Sequence, residues 1–316
     1  MTFSIAAVER DTGIGKDTLR VWERRYGFPM PGRDAHDERS YPLAQVEKLR
    51  VIKRLMDQGH RPGRIVAQPL EVLDQLGRGE AHPHTTNETP ALQAPAHLQV
   101  YLSLLQAQDV EGLRLAWHQA LSNVGLQQFV TEVAAPMTYW VGETWAQGDL
   151  AVHQEHLFTE CLSVVMRQAM AAIPQVALGG APKVLLTTFP QEAHGLGLLM
   201  VESLLTLQGC RCVSLGTQTP VRDIAQAAAA HQVDVVALSF SANMKPNHVV
   251  DGLAELQALL PPGVAVWAGG SASALRRRPL DRVCVLHDLD AISGAVTQHL
   301  RQQKQAHAQT VPSLAS

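Results

Sequence analysis

Five short apolar runs in the last third of the chain constrain its fold more than any other feature. The runs cover residues 184–189, 211–215, 233–239, 264–268 and 283–286, and amphipathic stretches of helical periodicity separate them. Strands that alternate with helices form parallel sheets with helices on both faces. The sequence therefore predicts a doubly wound α/β domain with a parallel five-stranded sheet over residues 181–304.

Polar and small residues stand where three of these runs end. They are Glu192, His194 and Gly197 after the first run, Ser239 and Ser241 at the third, and Gly269 and Gly270 after the fourth. There are 41 residues between Gly197 and Ser239, and 27 between Ser241 and Gly269. The carboxyl ends of parallel strands meet at one edge of the sheet, where ligands bind in this architecture. We expect these residues to form one site.

This spacing resembles the cobalamin-binding pattern, in which Asp or Glu, His and Gly precede a Ser-x-Leu-like step and then Gly-Gly. Here Glu192 replaces the commoner Asp, and Ser241 stands where Leu is usual. An imidazole holds cobalt well when a neighbour fixes its second nitrogen. The resemblance implies that His194 is the lower cobalt ligand, in place of the cofactor's own dimethylbenzimidazole base, with Glu192 as its partner.

The displaced nucleotide tail of the cofactor would need a place in the same domain. Ser239 and Ser241 have hydroxyl groups that can hydrogen-bond it along a strand edge. Gly269 and Gly270 have no Cβ and allow the backbone to approach it closely. We expect all four to contact the cofactor.

Length and composition favour a globular chain of several domains. The chain has 316 residues and 46% hydrophobic residues, which predicts two or three domains. Its four cysteines, Cys161, Cys210, Cys212 and Cys284, show no paired metal spacing and are expected to be free thiols in a reducing compartment. Neither a signal-peptide pattern nor an apolar window of membrane-spanning length is visible. We expect a cytoplasmic protein without a membrane partner.

The charge of the chain is distributed unevenly. Residues 1–64 contain 13 Lys and Arg against 9 Asp and Glu, whereas the whole chain has a net charge of −3. The first segment is therefore positive and the remainder negative. This asymmetry indicates that the first segment faces a polyanion.

The first segment has a helix-turn-helix pattern. Ser4 is a candidate cap for a helix to Arg10, a turn follows over 12–15, and a second helix covers 16–26 before Gly27 and Pro29. Apolar residues at helical spacing then predict further helices over 43–55 and 70–76. Such a pattern alone also suits an ordinary solvated basic face.

The residues Thr18 to Gly27, with Pro29 and the residues that follow, resemble the winged-helix DNA-binding domain of MerR-type regulators. In that family the second helix enters the major groove and a wing, here about residues 32–41, contacts the backbone. Gly15 occupies a position where a Ser cap is frequent. The resemblance implies a double-stranded DNA operator as partner. The implied DNA-binding residues are Lys16, Thr18, Arg20, Arg24, Arg33, Arg39 and Tyr41.

The remaining segments connect and extend these domains. Residues 77–96 are rich in Gly, Pro, Thr and Ala and are predicted to be a linker, with a solvated role for His82 and His84. Long helical stretches over 98–106, 110–123, 126–145 and 152–172 predict a four-helix bundle within 97–176. The DNA-binding domain is assigned to 1–76, and residues 305–316 are predicted to be a disordered tail.

Trp145, Glu155 and His156 have the spacing of the Trp…Glu-His pattern in the helical cap of CarH/LitR-type photoreceptor regulators. In that family the cap covers the upper side of the corrin, and the Trp and Glu enclose the 5′-deoxyadenosyl group. The resemblance spans residues 3 to about 304. Where the light-sensing members commonly have a second His that captures cobalt, this chain has Ala146, which has no ligand atom. His153 and His156 are alternative ligands, and an ordinary polar role for either is equally open.

These observations predict a cobalamin-binding transcriptional regulator that is not an enzyme. The resemblance implies a repressor that senses light through adenosylcobalamin and that self-associates as a dimer or tetramer. Three alternatives stay open at this point. They are a light-independent sensor of a corrinoid or another tetrapyrrole, a regulator with a vestigial pocket, and a corrinoid methyltransferase subunit or mutase fragment, against which the DNA-binding segment argues.

Overall fold

A computed structural model describes residues 2–34, 37–57, 60–79, 94–147, 149–174, 181–277 and 280–310. The chain divides into two compact units, one of residues 1–93 with 142–152 and one of residues 94–141 with 153–316. Most of the predicted linker, including His82 and His84, lies outside the described residues. Within the described ranges, no helix combines the length and the hydropathy that crossing a bilayer requires.

The N-terminal segment folds as a winged helix-turn-helix. Its elements are β1 (Thr2–Ser4), α1 (Ile5–Thr12), α2 (Lys16–Tyr26), β2 (Gly32–Arg33), β3 (Arg39–Pro42), α3 (Leu43–Asp57), α4 (Pro62–Ile65) and α5 (Leu70–Gly79). The Ser4 hydroxyl accepts a hydrogen bond from the Ala7 amide and caps α1, as predicted. β3 is the central strand of an antiparallel sheet in the order β1-β3-β2. The sequence pattern did not reveal β1 or α4.

The core of this domain lies between α1, α2 and α3. Leu19 and Trp22 of α2 are buried, and Tyr26 packs against the same cluster, so one apolar face of this helix is turned to the core. Val46, Leu49, Ile52 and Leu55 of α3 are fully buried at the spacing of one helical stripe; the exposed fraction of each is 0%. Gly27 ends α2 in the left-handed region, with φ 68°, where a residue without Cβ is least strained.

The middle segment is helical throughout its described part. Its elements are α6 (Ala96–Gln106), α7 (Val110–Gln128), a π-helical stretch (Phe129–Ala134), α8 (Ala135–Gln147) and α9 (Val152–Ala171). The break predicted between residues 123 and 126 is a kink at Gly125, whose φ of 78° and ψ of 167° are not helical. Trp117 and Phe158 pack edge to face at 5.8 Å between ring centroids and join α7 to α9.

The C-terminal segment is the predicted doubly wound domain. Its elements are β4 (Lys183–Thr187), α10 (Leu196–Leu207), β5 (Arg211–Gly216), α11 (Val221–Ala230), β6 (Val235–Phe240), α12 (Pro246–Leu259), β7 (Ala265–Gly270), α13 (Ala274–Arg277), β8 (Val283–Leu286) and α14 (Ala291–Thr310). All adjacent strands are parallel, and their order is β5-β4-β6-β7-β8. The chain passes from β4 to β5 on one side of β4 and then crosses to β6 on its other side, which creates the switch point where such folds bind ligands.

The end of the chain differs from the prediction. Helix α14 continues to Thr310, so the expectation of disorder from residue 305 is wrong for residues 305–310. Its position is fixed from within the domain, because Gln303 Nε2 donates to Asp234 Oδ1 at 3.1 Å. Residues 311–316 lie outside the described part of the chain.

Candidate functional site

Glu192 and His194 form a hydrogen-bonded pair in the loop between β4 and α10. Glu192 Oε1 lies 2.6 Å from His194 Nδ1 and also accepts the His194 backbone amide at 3.1 Å. An ionised carboxylate only accepts hydrogen bonds, so Nδ1 donates the ring proton to it, and Nε2 is then the acceptor nitrogen of the neutral imidazole. The His194 side chain is 65% exposed, whereas that of Glu192 is 1% exposed. The carboxylate is thus a buried anchor for an imidazole turned outward.

A second strand end holds the other oxygen of the same carboxylate. Glu192 Oε2 accepts the Ser241 backbone amide at 2.7 Å, immediately after β6. Burial alone would raise the pKa of Glu192, but the hydrogen bonds from His194 and Ser241 outweigh it and lower this pKa. Glu192 is therefore charged at neutral pH and connects the loop after β4 to the end of β6.

Gly197 and Ser239 are also neighbours in space. A Cβ at position 197 would lie 2.9 Å from Ser239 Oγ, which is closer than real Cβ contacts allow. The missing side chain therefore permits the first turn of α10 to approach the end of β6. Ser239 lies opposite Gly269 in the register of β6 and β7. The loop, the serines and the glycines predicted to act together do meet at one edge of the sheet.

Gly270 has a stronger backbone requirement than Gly269. Its φ is 110°, in the region that favours glycine, and a Cβ there would collide with the Phe240 carbonyl oxygen. The same carbonyl accepts the amides of Ser271 and Ala272 at 2.9 and 3.2 Å. The chain therefore turns tightly around the end of β6 as it leaves β7.

These residues fit a corrinoid. A corrin ring supplies the equatorial ligands of its cobalt, so the protein needs to add only one nitrogen, and His194 Nε2 is such a donor. The Ser241 hydroxyl is buried and forms no hydrogen bond of good geometry among the described residues, although its closeness to Glu192 helps to lower the pKa of that carboxyl, so it keeps capacity to bond a ligand. No group of three or more His, Cys, Asp or Glu in these ranges could hold a metal ion by itself.

Two threonines at the end of β4 were missed by the sequence analysis. The Thr188 hydroxyl donates to the Glu192 carbonyl oxygen at 2.6 Å and accepts the Gln218 amide at 2.8 Å. The Thr187 hydroxyl lies 2.7 Å from Thr219 Oγ1 and donates to the Gly216 carbonyl at 3.0 Å. Both side chains are fully buried. Polar residues directly after an apolar strand were the only signal available for them.

The residues predicted to cap the cofactor lie in different parts of the structure. Glu155 and His156 occupy the first turn of α9, where Glu155 Oε1 accepts the Thr159 hydroxyl at 2.9 Å and Oε2 lies 3.1 Å from His156 Nδ1. His156 and His153 are both exposed. Trp145 belongs to the other compact unit. Their role at the cofactor stays a prediction.

The outward face of α2 carries most of the residues predicted to contact DNA. Thr18, Arg20 and Arg24 are exposed there, and Arg33 is exposed at the wing. Val21 is 43% exposed on the same face, a position that the sequence analysis did not single out. Lys16 is partly engaged, because its ammonium lies 3.3 Å from Glu9 Oε2.

The structure contradicts the predicted DNA contact of Tyr41 and gives the Arg39 side chain a partner within the domain. Tyr41 is fully buried in the core, because alternate residues of β3 face α1 and α3, so it does not present its hydroxyl to a phosphate. Burial raises the pKa of this hydroxyl. Arg39 Nε donates to Glu23 Oε2 at 2.9 Å, so this side chain ties the wing to α2.

Glu9 replaces the missing side-chain cap at Gly15. Its Oε1 accepts the Lys16 amide at 3.1 Å at the start of α2. This backbone hydrogen bond is the largest cause of the lowered pKa of Glu9, and the charge of the Lys16 side chain adds to it. A carboxylate seven positions upstream is not part of any local capping pattern, which is why the sequence did not reveal it.

Comparison with known proteins gives the same three parts. The model of the MerR HTH family of regulatory proteins matches residues 3–67. Two B12-binding domain models match residues 98–172 and 182–294. Among solved structures, the monomethylamine corrinoid protein of Methanosarcina barkeri has a TM-score of 0.52 at 18% identity, over 63% of this chain and 95% of that one. At this identity the likeness shows the fold alone.

Two curated relatives match almost the whole chain. The HTH-type transcriptional repressor CarH of Myxococcus xanthus is 31% identical over 292 residues, 90% of this chain and 94% of its own. The repressor CarA of the same organism is 28% identical over 87% of this chain and 90% of its own. The HTH-type transcriptional regulator MlrA of Salmonella typhimurium is 26% identical over 43% of this chain.

Fold, site and matches define a class: a MerR-type, DNA-binding transcriptional regulator with a cobalamin-binding domain, and not an enzyme. Within that class, the chain belongs to the CarH family. The predicted fold class, the predicted kind of protein and the family resemblance are thereby confirmed.

Proposed function

We propose that this regulator binds cobalamin through His194 and that the bound cobalamin controls its affinity for DNA. The observation that carries the proposal is the buried, charged Glu192, which holds Nδ1 of an outward-facing imidazole and the end of β6 at once. That geometry supports the assignment of Nε2 as the nitrogen that binds cobalt from its lower side. Ser239, Ser241, Gly269 and Gly270 then hold the nucleotide tail at the same edge of the sheet.

The proposed cofactor form is adenosylcobalamin, and the proposed signal is light. Both rest on the Trp145, Glu155 and His156 spacing and on membership of the CarH family. When bound, adenosylcobalamin supplies a cobalt–carbon bond that visible light breaks. Trp145 and Glu155 are each proposed as contacts of the upper ligand, and His153 and His156 are the exposed imidazoles on the same helix as Glu155.

The proposed output is release of an operator. In the dark, holo chains associate as dimers or tetramers, so that several α2 helices hold one operator together. Linked heads gain avidity by effective concentration without any new contact. Thr18, Arg20, Arg24 and Arg33 make the contacts of each head, with Lys16 at the start of the helix. Dissociation of the assembly on illumination returns single, weakly bound heads, so that transcription is repressed in the dark and restored in the light.

The test compares size and DNA binding in the dark and after green illumination. Purified protein with adenosylcobalamin should elute earlier in darkness than after illumination and should shift DNA, selected from a random pool, only in darkness. Hydroxocobalamin is the matched control, because it has no light-labile adenosyl group. An elution volume and a DNA shift that illumination leaves unchanged would rule out the light-driven switch.

A light-independent corrinoid sensor is the second candidate, and Ala146 is the observation that favours it. Alanine has no ligand atom where a second histidine would capture cobalt. In this case cobalamin alone changes DNA affinity, equally in darkness and light. DNA affinity of the parent chain with adenosylcobalamin, measured in darkness and after illumination, separates the candidates, because only the light-driven switch predicts a difference. The Ala146→His variant tests the missing ligand: a bis-histidine spectrum after illumination that the parent chain lacks shows that the parent has no second imidazole ligand to cobalt.

A further inference from the structure

We propose that Thr188 is a positioning residue for the cobalt ligand, and this inference rests on the proposed binding of cobalamin by His194. Thr188 touches neither the imidazole nor the carboxylate of Glu192. It acts instead on the backbone that carries them. Its role differs from that of Glu192, which orients His194 by direct contact.

The Thr188 hydroxyl forms hydrogen bonds to two loops at once. On one side it donates to the Glu192 carbonyl oxygen at 2.6 Å, and on the other it accepts the Gln218 amide at 2.8 Å. The Thr188 carbonyl oxygen accepts the Thr219 amide at 3.0 Å. One fully buried residue therefore fixes the loop after β4 to the loop after β5 through its side chain and its backbone.

Both loops are held in conformations that need such support. Gln191 and Gln218 have φ values of 73° and 62°, in the left-handed region that side chains other than glycine rarely adopt. Residues in such regions persist only where their surroundings fix them. Gln191 directly precedes Glu192, and Gln218 supplies the amide that Thr188 accepts. The same hydroxyl thus stabilises a strained backbone on each side of itself.

The loop after β5 also lies against the part of the loop after β4 that carries His194. A Cβ at Gly195 would lie 3.2 Å from Thr217 Cγ2, so the residue after His194 packs directly against the loop that Thr188 ties down. A shift of the Glu192 carbonyl would move the Glu192 carboxylate relative to the Ser241 amide, and with it the imidazole. By fixing the backbone of these loops, Thr188 therefore sets the direction in which His194 Nε2 points.

The test replaces the hydroxyl while keeping the shape of the side chain. Thr188→Val is isosteric and loses both hydrogen bonds, whereas Thr188→Ser keeps the hydroxyl. Thr187→Val is the matched control: Thr187 is equally buried at the end of β4, directly before Thr188, and within the described residues its hydroxyl bonds to oxygens of Gly216, Thr219 and Thr188 but not to Glu192 or Gln218. Each protein is loaded with adenosylcobalamin, and the affinity is measured by absorption titration.

The second readout is the fraction of cobalt with a protein nitrogen as its ligand, from the electron paramagnetic resonance spectrum of bound cob(II)alamin. Thr188→Val should bind about tenfold more weakly, the lower end of the cost of losing an outer-shell partner of a metal ligand, and should show a smaller histidine-bound fraction. Thr188→Ser and Thr187→Val should resemble the parent chain. Thr188→Ala replaces Thr188→Val if the valine variant does not fold.

The outcomes separate the two proposals. If the parent chain binds no cobalamin, or binds it without histidine coordination, the proposed function fails. If the parent chain is histidine-bound and Thr188→Val matches it in affinity and spectrum, only the role of Thr188 is overturned. Equal losses in Thr188→Val and Thr188→Ser, or in Thr188→Val and Thr187→Val, would also overturn it, because the effect would not follow the hydroxyl of residue 188.

Discussion

The two oxygens of Glu192 serve two different residues: one lies 2.6 Å from His194 Nδ1, and the other accepts the Ser241 amide at 2.7 Å. A single buried charge thus orients the proposed cobalt ligand and attaches its loop to the sheet. Loss of either contact should weaken the binding of cobalamin at this site.

Glu192→Gln should lower the affinity for cobalamin by about 10- to 100-fold, the usual cost of changing the partner of a metal ligand. A glutamine can accept through only one atom. If that oxygen faces His194, its NH₂ group meets the Ser241 N–H, donor against donor. Glu202→Gln, a half-buried change on α10, is the control and should bind normally. Equal affinities for Glu192→Gln and the parent chain in an absorption titration would refute the anchoring role of this carboxylate.

Gly270→Ala should destabilise the sheet domain by about 1–3 kcal/mol or more, because a left-handed backbone then carries a side chain that meets the Phe240 carbonyl. Gly294→Ala is the matched control. It lies in α14 with nothing within 4 Å of its added Cβ, so we expect a gain of about 0.5–1 kcal/mol from helix propensity. Urea denaturation measures both. A neutral Gly270→Ala would contradict the tight turn after β7.

Tyr41→Phe should leave DNA affinity and stability nearly unchanged. The hydroxyl is buried and has no partner among the described residues, so its removal exposes no unpaired group. Arg20→Ala should instead weaken DNA binding and reduce its salt dependence by about one counterion, if Arg20 meets a phosphate. Binding isotherms at several salt concentrations measure the DNA affinity of both variants, and urea denaturation measures the stability of Tyr41→Phe. A Tyr41→Phe chain that lost affinity as Arg20→Ala does would return Tyr41 to the interface.

His299 should make the sheet domain less stable below neutral pH. Burial against Trp267, 6.1 Å between ring centroids, lowers the pKa of His299, and the charge of Asp234 only partly opposes this. The unfolded chain then binds the proton more readily than the folded one. Stability from this group is complete above its ordinary value of 6.5 and falls as pH drops below it, by about 1.4 kcal/mol for each unit of pKa difference.

His299→Phe removes this titration while keeping a ring against Trp267. Its urea midpoint should therefore fall less than that of the parent chain when the pH is lowered from neutrality to about 5.5. The other histidines are present in both proteins, so the difference isolates position 299. Identical losses in both proteins would show that His299 is not buried in its neutral form.

Period and spacing predicted the features that depend on local sequence. The strands, the order of motifs at their ends and the limits of α2 follow from apolar alternation and from Gly27 as a helix stop. Glu192, His194 and Ser241 could be assigned to one site because parallel strands end at a common edge. Their positions relative to the strand ends in the sequence were enough to assign them to the same site.

Features that depend on tertiary contacts could not be predicted in this way. Glu9 caps α2 across a turn, Arg39 pairs with Glu23, and Tyr41 faces inward because alternate residues of β3 face α1 and α3. Arg39 and Tyr41 were predicted to contact DNA, and Glu9 was assigned no role. The fold instead gives Glu9 and Arg39 partners within the domain and buries Tyr41, and one-dimensional periodicity contains no information on such contacts.

The most direct test of the account is whether a nitrogen of this protein binds cobalt. The protein is labelled uniformly with ¹⁵N, loaded with unlabelled cob(II)alamin, and its electron paramagnetic resonance spectrum is recorded. Coordination by His194 predicts doublet superhyperfine splitting from ¹⁵N and its loss in His194→Ala. Triplet splitting from the ¹⁴N of the cofactor's own base, unchanged in His194→Ala, would contradict the account.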